Sequence, residues 1–328
     1  MGAASRGSSR KSDFRMALPF LLPTVMNHSL NRRTWLQSSV VAMGALALSA
    51  RVRPAWALPK DHPYFGTIGL QLYTVRNQLD QDQTKTLKSI ADAGYYQVEL
   101  MDVVRQAELA KQAKDLGLKV NSSFHDWRVL ALPPASDIAT FDEVLEAAKE
   151  LDLKYLVFGY IGKGARETVA QYQAMADRAN AAGEKCRKAG IQLCYHNHSF
   201  EFAPLDGGKP GFEVFAERFD PENVKWELDV FWVAIGGYDP IETLGRLQGR
   251  VAQVHLKDLK AGVPTIVDEG KVPVDAFQEL GDGTIDMAKV LDAARVAGAE
   301  VCHVEQDQSP DPLASIKQSY DYLARLKP

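Results

Sequence analysis

From Thr67 onward, short apolar runs alternate with longer segments in which apolar residues recur every three or four positions. The first pattern predicts buried strands and the second amphipathic helices. The predicted strands are Ile68 to Tyr73, Gln97 to Leu100, Lys119 to Phe124, Tyr155 to Tyr160, Ile191 to Tyr195, Val224 to Asp229, Val251 to Leu256 and Glu300 to Glu305. Helices are predicted over TKTLKSIADAG, VLEAAKELD, the run Glu167 to Ala189, and MAKVLDAARVAG, with Gly94, Gly117, Gly190 and Gly298 placed where a left-handed C-cap wants glycine. Strands alternating with helices pair in parallel, either in a closed (β/α)8 barrel or in an open doubly wound sheet. No G-x-G-x-x-G follows the first strand, which removes the best marker of the open fold. Polar residues also stand at strand ends along the whole chain, and only a barrel brings all of those ends to one mouth. The expectation is an α/β fold, a (β/α)8 TIM barrel in one domain over residues 58–328. The longer loops Asp126 to Thr140 and Lys260 to Asp286 are its candidate lids or rims.

The first 57 residues follow a different pattern. They carry eight Lys and Arg against one acid, Asp13. Asn-Arg-Arg-Thr-Trp-Leu-Gln at 31–37 precedes an apolar run from Val40 to Ala50 and a small-residue Ala55-Trp56-Ala57 end, which resembles a twin-arginine export signal. The run is shorter than the roughly 20 residues a spanning helix needs. Residues 1–57 are therefore set apart from the fold, with Met26 as an alternative start, and a periplasmic or otherwise exported location is expected. Subtracting this segment from the 38 basic and 42 acidic residues leaves 30 and 41, a net charge near −11. So acidic a body repels nucleic acid and, once the signal is removed, has no membrane-seeking segment. The three cysteines, Cys186, Cys194 and Cys302, have no paired spacing, so neither a disulfide framework nor a cysteine metal knuckle is implied.

Chemistry gathers at the later strand ends. Strand five runs into YHNHSFEF, with His196, His198 and Glu201; strand six ends in WELDVFW, with Glu227, Asp229 and Trp232. Strand seven, VAQVHLKDLK, delivers His255, Lys257 and Asp258, and strand eight, VCHVEQD, delivers His303 and Glu305 with Asp307 beyond. Earlier strand ends add Gln71, Tyr73, Glu99 and His125. Each has a plainer explanation alone: a turn-capping Asp, a rim Glu, a core His bonded to backbone. Four independent strand ends carrying imidazole and carboxylate favour a divalent ion.

YHNHSFEF, LDVFW, VHLKD and VEQD, in this order and with IGLQLYTVR and GDGTID, resemble the sugar phosphate isomerase/epimerase family, the xylose-isomerase-like TIM barrels, across nearly all of residues 67–326. The resemblance implies one divalent ion, manganese first and zinc, cobalt or magnesium as the other candidates. Its ligands would be Asp229, His255 and Glu305, with either His196 or Glu201 completing the shell where many relatives carry Glu. It further implies proton abstraction next to a carbonyl through a metal-stabilised enediolate. In that scheme Glu305 is an acid/base, His198 or Glu201 its counterpart, and Lys257 an electrophile or acid. Gln71, Glu99, His125, Trp232 and Asp258 would contact substrate. The absence of an Arg cluster or a Gly-rich cradle at the strand ends points to an unphosphorylated sugar or keto-sugar. A sugar isomerase or epimerase is the first expectation. A lyase or hydratase on oxidised sugars or glycosides is the second, and a non-catalytic periplasmic carbohydrate-binding barrel the third; whether the chain forms an oligomer is left open.

Overall fold

A computed structural model describes Tyr64 and residues 67–326; the expected export segment lies outside the described residues. Eight parallel strands close into a barrel: β1 (Gly69–Gln71), β2 (Gln97–Leu100), β3 (Lys119–Phe124), β4 (Tyr155–Gly159), β5 (Gln192–His196), β6 (Val224–Asp229), β7 (Val251–Leu256) and β8 (Val301–Val304). Neighbours in sequence are neighbours in the barrel, and β8 closes it by pairing with β1. The outer helices are α1 (Gln83–Ala93), α2 (Ala107–Asp115), α3 (Phe141–Glu150), α4 (Val169–Lys188), α5 (Gly211–Arg218), α6 (Pro240–Arg246), α7 (Met287–Ala297) and α8 (Pro312–Leu323). The expected TIM barrel is therefore the observed fold.

Local rules explain the elements. All six residues of β7 are buried, as a parallel strand covered on both faces requires. Thr140 and Thr168 open α3 and α4 with capping boxes completed by Glu143 and Gln171. Gly94 and Gly298 close α1 and α7 at φ 112° and 99°, in the left-handed region.

Side chains inside the barrel divide by height. Toward the amino-terminal ends, Tyr155, Val157, Cys194, Ala252 and Val301 make an apolar plug. Above it the interior is polar, because β2, β6, β7 and β8 turn Glu99, Glu227, His255 and His303 inward with no exposure to solvent. Gly69 pairs in register with His303, and a Cβ there would collide with the imidazole. Glycine at this point lets the ring lie across the barrel interior.

Several strand ends differ from expectation: β5 runs to His196, and β8 stops at Val304, one residue before Glu305. β1 stops at Gln71, where the chain turns into a 3-10 segment, Leu72–Val75. β4 stops at Gly159, because Tyr160 adopts φ 55°. A short helix, Val230–Ile235, follows β6 directly, and Asp229 caps it by accepting the N–H of Trp232 at 3.0 Å.

The two expected rims behave differently. Residues 126–140 pack on the outside, where the Arg178 guanidinium donates to the carbonyls of Leu130 and Ala131. The 260–286 loop does fold over the mouth. It is anchored by antiparallel pairing of Asp258–Leu259 with Phe277–Gln278, by apolar packing of Phe277 on Phe231 and Trp232, and by the Arg166–Glu269 ion pair at 2.6 Å.

Candidate active site

A cavity of about 480 Å³ opens at the carboxyl ends of the strands. Of the residues expected there, Gln71, His196, His198, Trp232, Lys257 and Glu305 line it. Among the described residues lining it, Lys257 is the one cationic side chain. Its Nζ stands 2.7 Å from Glu305 Oε2, 2.9 Å from Asp307 Oδ1 and 3.1 Å from Asp229 Oδ2. Burial opposes that charge, yet Asp229, Asp307 and Glu305 outweigh it and hold the ammonium well above the usual lysine range.

His196, Asp229, His255 and Glu305 each offer one ligand atom, and these atoms lie within 4.8 Å of one another. His255 Nδ1 is 3.0 Å from Glu305 Oε2, and His196 Nε2 is 4.0 Å from Asp229 Oδ2. His196 Nδ1 is buried with no hydrogen-bond partner and lies 3.3 Å from Glu227 Oε2, while Asp229 Oδ2 is paired with the Lys257 ammonium at 3.1 Å. This two-imidazole, two-carboxylate set fits a divalent transition ion. Burial drives the His196 pKa well below the ordinary range, whereas desolvation at His255 is overcome by the carboxylates of Glu227 and Glu99, which hold its pKa well above that range. Without an ion the group therefore carries an imidazolium proton that a bound ion would displace.

His198 keeps part of its surface open to the cavity. Its ring stacks on Phe200 at 10° and leans on Trp232 with centroids 5.2 Å apart. Desolvation, followed by the nearby Lys257 charge, pushes its pKa down to about 3, and Nδ1 is unpartnered. It is thus a neutral imidazole fixed in orientation.

Four expected residues sit elsewhere. Glu99 lies below the cavity rather than in it, held by Gln71 Nε2 at 2.7 Å and the Ser122 hydroxyl at 2.5 Å, with His255 Nε2 at 2.7 Å. His125 packs between Phe141 and Phe158, its Nδ1 2.9 Å from the Asp126 carbonyl. Asp258 is fully buried and accepts the backbone N–H groups of Leu259, Gly281, Gly283 and Ile285, so it organises the GDGTID turn instead of meeting substrate. A Cβ at Gly283 would strike that carboxylate, which explains glycine there. Glu201 is neither cavity-lining nor part of the ligand group. It takes hydrogen bonds from the Tyr195 hydroxyl and the His198 backbone N–H, thereby fixing the turn that carries His198, and burial raises its pKa to about 8.

Sequence reasoning did not assign Met101, Phe124, Tyr160 and Gln308 to the lining, nor Glu269, Val272, Val274 and Phe277 from the 260–286 loop. Phe124 ends β3, so its strand position was the available signal. The others follow strand ends or lie in loops, whose conformation periodicity does not encode, and for the 260–286 loop the signal was its length.

Residues 87–326 match the xylose isomerase-like TIM barrel family. Among curated proteins the chain is similar to an inosose dehydratase of Geobacillus kaustophilus, 24% identical over 273 residues, which span 74% of this chain and 87% of the relative. It is also similar to the rhizopine catabolism protein MocC of Rhizobium meliloti, 24% identical over 272 residues, 75% of this chain and 82% of the relative. A crystal structure of a sugar phosphate isomerase/epimerase from Parabacteroides distasonis superposes with a TM-score of 0.63 at 25% identity, covering 79% of this chain and 94% of that one. A structure of IolI protein with a bound zinc atom shares the fold, with a TM-score of 0.52 at 16% identity and coverage of 79% and 95%. With its closed eight-stranded barrel and a match over residues 87–326, this chain belongs to the xylose isomerase-like TIM barrel family.

Proposed function

We propose that this chain is a metal-dependent lyase of the dehydratase type that acts on an unphosphorylated keto-sugar or keto-polyol. The observation that carries the reading is the placing, in one cavity, of an imidazole, His198, beside an ammonium, Lys257. An elimination needs a base for the carbon-bound proton and a separate acid for the departing oxygen, and these two residues supply both. The inosose dehydratases to which the chain is similar support the same class.

His196, Asp229, His255 and Glu305 would hold the divalent ion, manganese or zinc, whose chemistry is Lewis-acid polarisation of a carbonyl oxygen. His198 takes the proton from the carbon beside the carbonyl and becomes imidazolium. Electrons from that C–H bond form the new double bond as the C–O bond at the next carbon breaks. Lys257, with Asp307 at 2.9 Å, gives a proton to the leaving oxygen, so one water departs for each double bond formed. The lysine recovers its proton as the imidazolium returns its own through solvent. Trp232 and Tyr160 wall the cavity and Gln71 offers a polar contact at its floor. A single lining cation, already shared by three carboxylates, suits a neutral substrate better than a phosphate ester.

The test is incubation of metal-loaded protein with keto-inositols and keto-sugars in deuterated water. Release of water with appearance of an unsaturated ketone is expected. Deuterium incorporation with no loss of a substituent overturns the lyase reading in favour of isomerisation or epimerisation.

A further inference from the structure

We propose a second divalent-cation site in the barrel interior, one layer below the mouth, formed by Glu99, Glu227, His303 and the Nε2 side of His255. It goes beyond the mouth site and shares only the His255 ring with it.

The geometry is that of a ligand shell. One ligand atom from each of the four residues lies within 4.8 Å of the others, and none of the four side chains is exposed by more than 1%. His255 Nε2 is 2.7 Å from Glu99 Oε2 and 3.4 Å from Glu227 Oε2, while His303 Nδ1 is 3.9 Å from both Glu99 Oε2 and Glu227 Oε1. Four ligands about 2.0–2.1 Å from a tetrahedral ion stand roughly 3.3 Å from each other, within this spread. Two carboxylates and two imidazoles also neutralise a divalent charge.

The second observation is the state of the polar atoms. Neither oxygen of Glu227 receives a hydrogen bond and neither ring nitrogen of His303 makes one, although both residues are wholly buried. Leaving such a group unsatisfied in a buried place is destabilising, and more so for a charged group. Three of these atoms, the two Glu227 oxygens and His303 Nδ1, border the same space and are costly to leave there unless something fills it.

The surroundings also build the site. Gln71 and Ser122 donate to the two oxygens of Glu99, and Gln253 donates to the Ser122 hydroxyl at 3.0 Å, the kind of outer support that orients a ligating carboxylate. Gly69 leaves the space that the His303 ring occupies. His255 presents Nδ1 upward to Glu305 and Nε2 downward to Glu99, so one ring faces both sites; with both filled it would bridge the two ions as an imidazolate, its remaining ring proton released to solvent.

The test is metal content after loading with zinc or manganese chloride and exhaustive dialysis. It compares wild-type protein, the mouth variant His196→Ala/Asp229→Ala, and that variant carrying Glu227→Gln or His303→Gln, with thermal melts to check folding. The mouth variant is expected to keep one ion per chain and to lose it when either interior substitution is added. Anomalous scattering from metal-loaded wild-type crystals should place an ion among the four interior side chains, which keeps the question open to measurement if a variant fails to fold. A mouth variant with no ion, interior variants that keep the ion, or water alone among the four side chains overturns the proposal. Loss of an ion between wild type and the mouth variant reports on the mouth site separately, so failure of one reading is distinguishable from failure of the other.

Discussion

Nζ of Lys257 lies 2.7 Å from Oε2 of Glu305, and both side chains are withdrawn from solvent. Burial opposes ionisation of that carboxyl, but the Lys257 charge wins and holds its pKa well below the usual range. The lysine is thus bound to two proposed metal ligands, Glu305 and Asp229, as well as to Asp307.

That relationship makes Lys257→Met informative. Elimination activity should fall by about 10²–10⁴-fold, the usual contribution of a positioned acid. The mouth carboxylates, freed of the ammonium, should still bind a divalent ion. Steady-state kinetics beside metal titration checks this; loss of metal with loss of activity would make the lysine a structural element of the ligand group.

His198→Asn should slow release of water and formation of the unsaturated ketone by about 10²–10⁴-fold while metal content stays at the wild-type level. Nuclear magnetic resonance of the product measures it. Glu201→Gln, which alters the support of the His198 turn, should reduce the same rate less.

Asp258→Ala removes the acceptor for four backbone N–H groups, those of Leu259, Gly281, Gly283 and Ile285. Each unsatisfied buried donor costs about 1–3 kcal/mol when water cannot reach it. Gly281 is exposed and Gly283 and Ile285 are half-buried, so water relieves part of that cost; a loss of about 3 kcal/mol in denaturant unfolding is expected, with metal content unchanged. A substrate-binding role would instead raise KM at unchanged stability.

Stability should pass through a maximum with pH. His125, with its pKa pushed down to about 4 by burial, and His198, down to about 3, bind protons less readily in the folded chain than in the unfolded one. As pH falls below about 6.5 the unfolded chain takes up those protons first, and stability is lost through the window down to about 4. Glu201 acts in the opposite sense, since its folded pKa near 8 exceeds the unfolded value of 4.5. Its contribution is fully present below about 4.5 and declines as pH rises toward 8. Melting temperatures from pH 4 to 9 should show the acid-side loss reduced in His125→Phe and the alkaline-side loss reduced in Glu201→Gln.

Export is a further expectation from residues 1–57. Fused to a reporter that fluoresces when folded, this segment should direct it to the bacterial periplasm, and Arg32→Lys/Arg33→Lys should hold it in the cytoplasm. Fractionation reads the outcome, and reporter that reaches the periplasm with both arginines replaced would refute the twin-arginine route.

Much of the fold was legible because its determinants are local. Apolar runs such as Val251–Leu256 mark doubly covered strands, and the capping residues Thr140, Thr168, Gly94 and Gly298 mark helix ends. Two-residue alternation also placed Asp229, His255 and Glu305 on inward faces, because side-chain direction along a strand follows from position alone. Height within the barrel does not follow in this way. Glu99 and His303 occupy inward positions as Glu305 does, yet strand stagger sets the first two beneath the cavity and the third on its wall. Beyond the strand ends the backbone turns, and alternation ceases to predict direction. Asp258 therefore faces the GDGTID amides, Glu201 faces Tyr195, and Glu269 and Val274 reach a cavity far from them in sequence. The amino-acid order by itself determined the barrel and the residue types at its mouth. Only the tertiary structure decided which of them share a cavity, because that depends on register and loop closure between segments that no local pattern connects.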